Sequence, residues 1–243
     1  MSPTLIKLPF ILLNSIVAQL AVTPPNPPPN FDESSKYQAE KRTKDFLDTI
    51  FWWHIPLVWV AIHLFNVIEA YTTLSHIFPS LRNSTLDHYL LPNSAPDIAE
   101  RLRLTPVFIA GSISIISSAL LRLLCFRTLG KYFTFNLAIV KDHKLITNGP
   151  YAIVRHPAYL GMIIYAVGLY LTQFGKGSWW RESGISNTKM GYMLSACMGM
   201  IACGFGLLLG RIPKEDFVLR NEFGNEWDEW AKRVPYKLIP GIY

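Results

Sequence analysis

Residues Met190 to Gly210 read MGYMLSACMGMIACGFGLLLG, a run with no charged side chain. A helix needs about 20 such residues to cross the hydrocarbon core of a bilayer. Ser195, Gly199, Ala202, Gly206 and Gly210 recur in it at three- and four-residue spacing, so they share one helix face. Small residues in that pattern let a neighbouring membrane helix bring its backbone close. Four apolar stretches precede this one: Leu5 to Val22, a stretch within Phe46 to Phe78, Thr105 to Phe126, and Pro157 to Phe174. The expected fold class is therefore all-α, a polytopic integral membrane protein with about five transmembrane helices. The last two spans, linked by residues 175–189, are expected to form a tight antiparallel hairpin.

Composition agrees with this. Half of the 243 residues are hydrophobic and only 16% are charged, where a soluble domain carries about a quarter. The net charge of +6 reads as loops facing anionic lipid rather than a nucleic-acid surface. With a lumenal amino terminus, fifteen Lys and Arg fall on the cytosolic side and seven on the other, with Arg122 left inside a span. That imbalance puts the segments around 23–46 and 127–156, and the carboxyl-terminal tail, in the cytosol. Arg122 lies near the cytosolic end of its span, where it can snorkel. Leu5 to Val22 also has the length of a signal peptide. Only Lys7 precedes its apolar run and no A-x-A site follows, so an uncleaved helix is expected.

Between the spans, Thr23 to Asn30 (TPPNPPPN) is a proline-rich linker and Phe31 to Asp45 a mixed-charge segment suited to an interfacial helix. The second stretch exceeds one span and either tilts or runs past the bilayer through Glu69 and Tyr71. Arg82 to Arg103 reads as a polar loop. Cys125, Cys197 and Cys203 lie in apolar runs without CxxC spacing and read as small hydrophobes. There is no HExxH, Walker loop or GxGxxG, and the six histidines lack metal-ligand spacing, so no metal is expected. Two regions follow: 1–126, membrane-spanning, and 127–243, a cofactor-binding catalytic region that includes the last two spans.

Past the quoted span, Pro213 to Val234 is amphipathic. Leu219, Phe223, Trp227, Trp230 and Val234 fall on one helical face, with Gly224 in the middle. An interfacial helix with a Trp belt accounts for that pattern, and the glycine, which costs about 1 kcal/mol against Ala, implies close packing or ligand approach.

Two polar clusters flank the last two spans. The first is HKLITNGPYAIVRHPAYLG, residues 143–161. Asn148-Gly149-Pro150 is a turn, and Pro157 opens a helix just after His156. Backbone donors at that helix start suit a carboxylate. Tyr151 and Tyr159 offer flat faces and hydroxyls for adenine, ribose or a sulfonium cation. The second is Arg211-Ile-Pro-Lys-Glu215-Asp216. Arg211 and Glu215 lie four apart on one face. They form either an ion pair at a wet membrane edge, or a split site in which the Arg211 fork takes a substrate carboxylate and Glu215 takes cofactor hydroxyl or ammonium groups. A spans-four-and-five hairpin would bring the two clusters together.

These residues resemble the isoprenylcysteine carboxyl methyltransferase family. The matching pieces are His143, Gly149 to Tyr151, Arg155 to Gly161, Arg211-x-x-x-Glu215-Asp216 with Leu219, Phe223, Gly224, Trp227 and Trp230, and the tail Val234-Pro-Tyr-Lys-Leu-Ile-Pro. The resemblance covers about the last 110 residues. It implies S-adenosyl-L-methionine as cofactor, held by His143, Lys144, Leu145, Ile146, Tyr151, His156, Pro157, Ala158, Tyr159 and Glu215, with Arg211 on the substrate carboxylate. A family Gln seven residues before the histidine is Asn136 here, a shorter amide for the same contact. The family commonly has Glu at position 216 and Tyr at 227 and 230, so Asp216, Trp227 and Trp230 depart from its pattern. The implied substrate is a prenylated protein or prenylcysteine-like lipid, reached from the membrane lipids, and the implied location is the endoplasmic reticulum with the site facing the cytosol. Three alternatives stay open: methyl transfer to a phospholipid amine or another lipid acid, a sterol-reductase-like NADPH oxidoreductase, and a non-catalytic scaffold. The reductases share an RHPxYxG-like stretch but usually carry Asn where Ala158 stands.

Overall fold

The structure, a computed structural model, describes residues 5–23, 25, 26, 46–92, 98–134, 139 and 142–243. Asn136, the Phe31–Asp45 segment and most of the Thr23–Asn30 linker lie outside the described residues. The regular structure of the described residues is helical: α1 (Lys7–Val22), α2 (Phe46–Ile77), α3 (Ser84–Leu90), α4 (Ile98–Arg101), α5 (Pro106–Leu129), α6 (Pro157–Phe174), α7 (Trp179–Glu182), α8 (Lys189–Leu209), α9 (Ile212–Phe223) and α10 (Asn225–Arg233). Among the described residues, four stretches are long and apolar enough to cross a membrane: Pro56–Ile77, Pro106–Tyr132, Pro157–Glu182 and Lys189–Phe223. The protein is an all-α integral membrane protein. Helix α1 is apolar but has 16 residues. At 1.5 Å per residue that is about 24 Å, short of a hydrocarbon core of about 30 Å. Pro106 and Pro157 stand at the first positions of α5 and α6, where a missing backbone N–H costs nothing.

The chain divides into two compact units. One comprises residues 1–19, 55–117 and 164–203; the other comprises residues 20–54, 118–163 and 204–243. The first unit is built around Phe65, Ile68, Leu91, Ile98, Leu102, Trp179 and Ile185. Three of these, Leu91, Ile98 and Leu102, come from the stretch read as a polar loop. Asn83 caps α3 there by accepting from the backbone N–H of Thr85 and Leu86 at 3.0 and 3.1 Å, which lets a polar sequence hold helical turns; Leu91, Ile98 and Leu102 are buried. Glu69, placed by the sequence where a helix could leave the bilayer, is instead buried in an ion pair with Lys7. Its other oxygen accepts from the Trp179 backbone at 3.1 Å, and Lys7 donates to the Gly177 carbonyl at 2.7 Å. Lys7 is thus a core residue of this unit rather than a flanking charge.

Close helix approach was expected on the glycine face of α8. A side chain at Gly199 or Gly206 would meet nothing within 4 Å. The approach occurs between α5 and α6, where a Cβ on Gly168 would lie 2.8 Å from both the Gly111 carbonyl oxygen and Ile115 Cγ1. Glycine stands on both helices there, and a tight crossing needs small residues on both sides. Gly168→Ala is therefore expected to destabilise by about 1–3 kcal/mol through overpacking. Gly206→Ala should be neutral or stabilising by up to about 1 kcal/mol through helix propensity. Thermal melts of the two variants in one detergent test the contrast; equal shifts would contradict it.

The second unit is built around Cys125, Tyr151, Trp227, Trp230 and Val234, with Leu219 and Phe223 packed against them. The single amphipathic helix expected over 213–234 is two helices. Gly224 separates α9 from α10 at φ 52°, ψ −120°, a conformation that residues with a Cβ avoid. A Cβ there would touch nothing within 4 Å, so backbone conformation, not close packing, calls for the glycine. The apolar face, read as a membrane belt, packs inward: Trp227 and Trp230 are 9% and 2% exposed.

Candidate active site

The candidate site lies within the second unit. Gly149, at φ 57°, starts a short 3-10 turn that buries Tyr151. The Tyr151 carbonyl accepts from the Trp230 indole at 3.1 Å, so α10 fixes the turn. The next residues are strapped to the tail: the backbone N–H groups of Arg155 and His156 donate to the Tyr236 and Lys237 carbonyls at 2.9 and 2.8 Å. The sequence offered donors at this helix start for a ligand carboxylate; these two are taken by the tail. The strap explains why the tail stretch around Tyr236 and Lys237 belongs to the same site: it sets where α6 begins, and hence where His156, Ala158 and Tyr159 stand.

Helix α9 supplies the opposite wall. Arg211 precedes its first turn and is 4% exposed; Glu215 and Asp216 follow one turn later. The Tyr159 hydroxyl donates to Glu215 Oε2 at 2.8 Å. His156 Nε2 lies 2.8 Å from Asp216 Oδ1, and its Nδ1 lies 3.9 Å from Glu215 Oε1. Arg155 Nη2 stands 3.4 Å from Asp216 Oδ2, with its guanidinium 5.5 Å from the Trp227 ring centre. The two sequence clusters therefore meet, and the ion-pair reading at a wet edge does not describe Arg211, which is buried.

One cavity joins them. It is lined by His143, Leu145, Ile146, Tyr151, His156, Ala158, Tyr159, Arg211 and Glu215 among the residues singled out from sequence. Lys144 is exposed and Pro157 is buried, and neither lines it; Asn136 lies outside the described residues. Sequence reasoning missed Tyr132, Phe133, Met162, Val218 and Arg155 as lining residues. It also misread Arg122, which does not snorkel. Arg122 is 3% exposed, donates through Nε to the Ala21 carbonyl and through Nη1 to the Ala158 carbonyl at 3.2 Å, and lines the cavity. The signal was available, since an arginine inside an apolar span marks function more often than not.

The His143 ring stacks on Tyr132 at 4.8 Å and meets Phe223 edge-on at 5.7 Å. Its Nδ1 is buried and has no hydrogen-bond partner among the described residues, which at a cavity wall points to a ligand group. Burial pushes its pKa below the ordinary histidine value, against the opposing pull of Glu222 and Glu215. Burial likewise pushes the Tyr151 hydroxyl well above its ordinary value, so it stays a neutral donor. Because the folded form takes up the His143 proton less readily than the unfolded chain, this residue penalises folding as pH falls from about 6.5 through the lowered folded value, and has no such effect above. The melting temperature of the wild type is expected to drop more between pH 7 and pH 5.5 than that of His143→Phe. Parallel pH curves for the two proteins would contradict this.

The profile of the isoprenylcysteine carboxyl methyltransferase family matches residues 110–176. The match includes the His143–Gly161 cluster and ends before Arg211. A probable protein-S-isoprenylcysteine O-methyltransferase from Oryza sativa subsp. indica is 34% identical over 131 residues, 51% of this chain and 56% of its own length. The protein-S-isoprenylcysteine O-methyltransferase of Schizosaccharomyces pombe is 32% identical over 102 residues, 41% of this chain and 36% of its own. A Delta(14)-sterol reductase from Mus musculus is 29% identical over 100 residues, 41% of this chain and 20% of its own. The chain thus spans about half the length of the curated plant relatives it matches. The profile match and the methyltransferase relatives show that this chain is similar, over about half its length, to the isoprenylcysteine carboxyl methyltransferase family.

Proposed function

We propose that this protein transfers a methyl group from S-adenosyl-L-methionine to the carboxylate of a prenylated cysteine, at the cytosolic face of the endoplasmic reticulum membrane. The observation that carries the reading is the meeting of Arg211 and Glu215 with His156 and Tyr159 in one largely buried cavity. A phospholipid amine would not call for a buried arginine fork, and a carboxylate does.

The cavity's chemistry fits the cofactor. His143 presents a buried nitrogen with no protein partner among the described residues. Tyr132, Tyr151 and Tyr159 supply aromatic faces, and Glu215 an anion. His143, Leu145, Ile146, Tyr151, His156, Ala158, Tyr159 and Glu215 would hold it. When bound, S-adenosyl-L-methionine supplies a methyl group on a sulfonium centre. The remaining work falls to the chain. Arg211 holds the acceptor carboxylate, which is already ionised near neutral pH and needs no general base. Phe133, Met162, Val218 and Leu219 exclude water, which favours a step in which an anion and a cation neutralise each other. Positioning the two reactants in line supplies much of the rate. Leu129, Phe133 and Met162 form an apolar wall that suits a prenyl chain arriving from the lipid.

The test is labelled methyl transfer from S-adenosyl-L-methionine to N-acetyl-S-farnesylcysteine by protein purified in detergent, against the same compound with its carboxylate blocked. Base-labile label on the free acid alone is the expected result. Cofactor binding without transfer to this acceptor would reject the prenylcysteine substrate. Binding of NADPH in place of S-adenosyl-L-methionine would reject methyl transfer itself.

A further inference from the structure

Asp216 is 8% exposed and does not line the cavity, yet it touches two residues that do. One oxygen stands 2.8 Å from His156 Nε2 and the other 3.4 Å from Arg155 Nη2. A carboxylate only accepts hydrogen bonds, so at 2.8 Å the His156 proton sits on Nε2. In the neutral imidazole the other nitrogen, Nδ1, is then an acceptor. Its distance to Glu215 Oε1, 3.9 Å, is too long for a direct hydrogen bond. Glu215 Oε2 is engaged by the Tyr159 hydroxyl at 2.8 Å, which leaves Oε1 on the His156 side. His156 Nδ1 and Glu215 Oε1 are therefore two acceptors separated by the gap a single ammonium group bridges, with donor distances of about 2.8–3.0 Å to each.

We propose that Asp216 is a positioning residue: by taking the Nε2 proton of His156 it turns the Nδ1 lone pair toward Glu215, and the two together seat the cationic amino group of the bound cofactor. The identity of that cofactor rests on the methyltransferase reading above; the orientation of His156 does not. Arg155 assists from behind. Its guanidinium, 5.5 Å from the Trp227 ring centre, stands 3.4 Å from the second Asp216 oxygen.

The first test needs no variant and no ligand. In the wild-type protein in detergent at about pH 7.5, with histidines labelled with nitrogen-15 and the His156 signal assigned by His156→Gln, His156 is expected as a neutral imidazole with the proton on Nε2. An imidazolium, or a proton on Nδ1, overturns the proposal. The second test separates seat from scaffold. Calorimetry with S-adenosylhomocysteine and with its desamino analogue should show the wild type preferring the amine by about 10- to 100-fold, the range for a charged hydrogen bond. Asp216→Ala should bind the two nearly alike, and Asp216→Glu should restore most of the preference. An Asp216→Ala protein that keeps the full preference overturns the proposal. So does one that loses affinity for both ligands equally, because a general packing role predicts that result. If the wild type binds neither ligand, the methyltransferase reading fails, and the nitrogen-15 spectrum still decides the orientation of His156.

Discussion

Arg211→Ala is expected to lower methyl transfer to a prenylcysteine acceptor by about 10²- to 10³-fold, the loss seen when one preorganised donor to a reacting oxygen is removed. Arg211 is 4% exposed at the start of α9 and shares the cavity with Glu215, His156 and Tyr159. A guanidinium in that position offers a planar fork that a lysine cannot reproduce, so Arg211→Lys should remain at least about tenfold impaired, equivalent to 1.4 kcal/mol. The loss is expected in kcat/KM for the acceptor, while affinity for S-adenosylhomocysteine stays within about threefold, less than one charged hydrogen bond is worth. Variants with wild-type turnover and acceptor affinity would remove Arg211 from the reaction. Variants that lose the cofactor product instead would move it to the other half of the site.

Lys7→Met is expected to be the most damaging single substitution outside the cavity. Removing one partner of a buried pair leaves a charge that nothing compensates, at about 3–5 kcal/mol. Lys7 and Glu69 have side chains 1% and 5% exposed. The lysine also donates to the Gly177 carbonyl and stands 4.4 Å from the centre of the Phe108 ring. Glu69→Gln in the same chain should recover most of the loss, because a neutral amide no longer needs the lysine and still accepts from the Trp179 backbone. Unfolding of the two single variants and the double variant in one detergent measures the coupling. Additive effects, or a Lys7→Met protein as stable as the wild type, would show that the pair does not hold this unit together.

The spans were legible because bilayer thickness imposes length and apolarity on the residues themselves. Pro157 and Phe174 bound α6 as the sequence has them, and α8, Lys189–Leu209, differs from the quoted run by one residue at each end. The polar core of the site was legible for a different reason. His143, Tyr151, His156, Tyr159, Arg211 and Glu215 are chemically costly inside a membrane protein, so each needs an explanation wherever it lies. Lys144, which the family resemblance implied, is exposed and does not line the cavity. The errors share a cause. Arg122, Lys7 and Glu69 were read by their distance from the ends of apolar runs, and each is buried by partners distant in sequence: Ala21 and Ala158 for Arg122, and Lys7 and Glu69 for one another.

Local sequence, then, was sufficient for much of what depends on one helix at a time: where the four long apolar helices lie and where prolines open them. Tertiary structure alone decided whatever depends on two. It put the close crossing at Gly111 and Gly168 rather than on the α8 glycines, since a helix shows its small face in sequence but not whether a partner has one to match. It turned Trp227 and Trp230 from a membrane belt into a core. It also brought Asp216, which does not line the cavity, to 2.8 Å from the His156 ring that does.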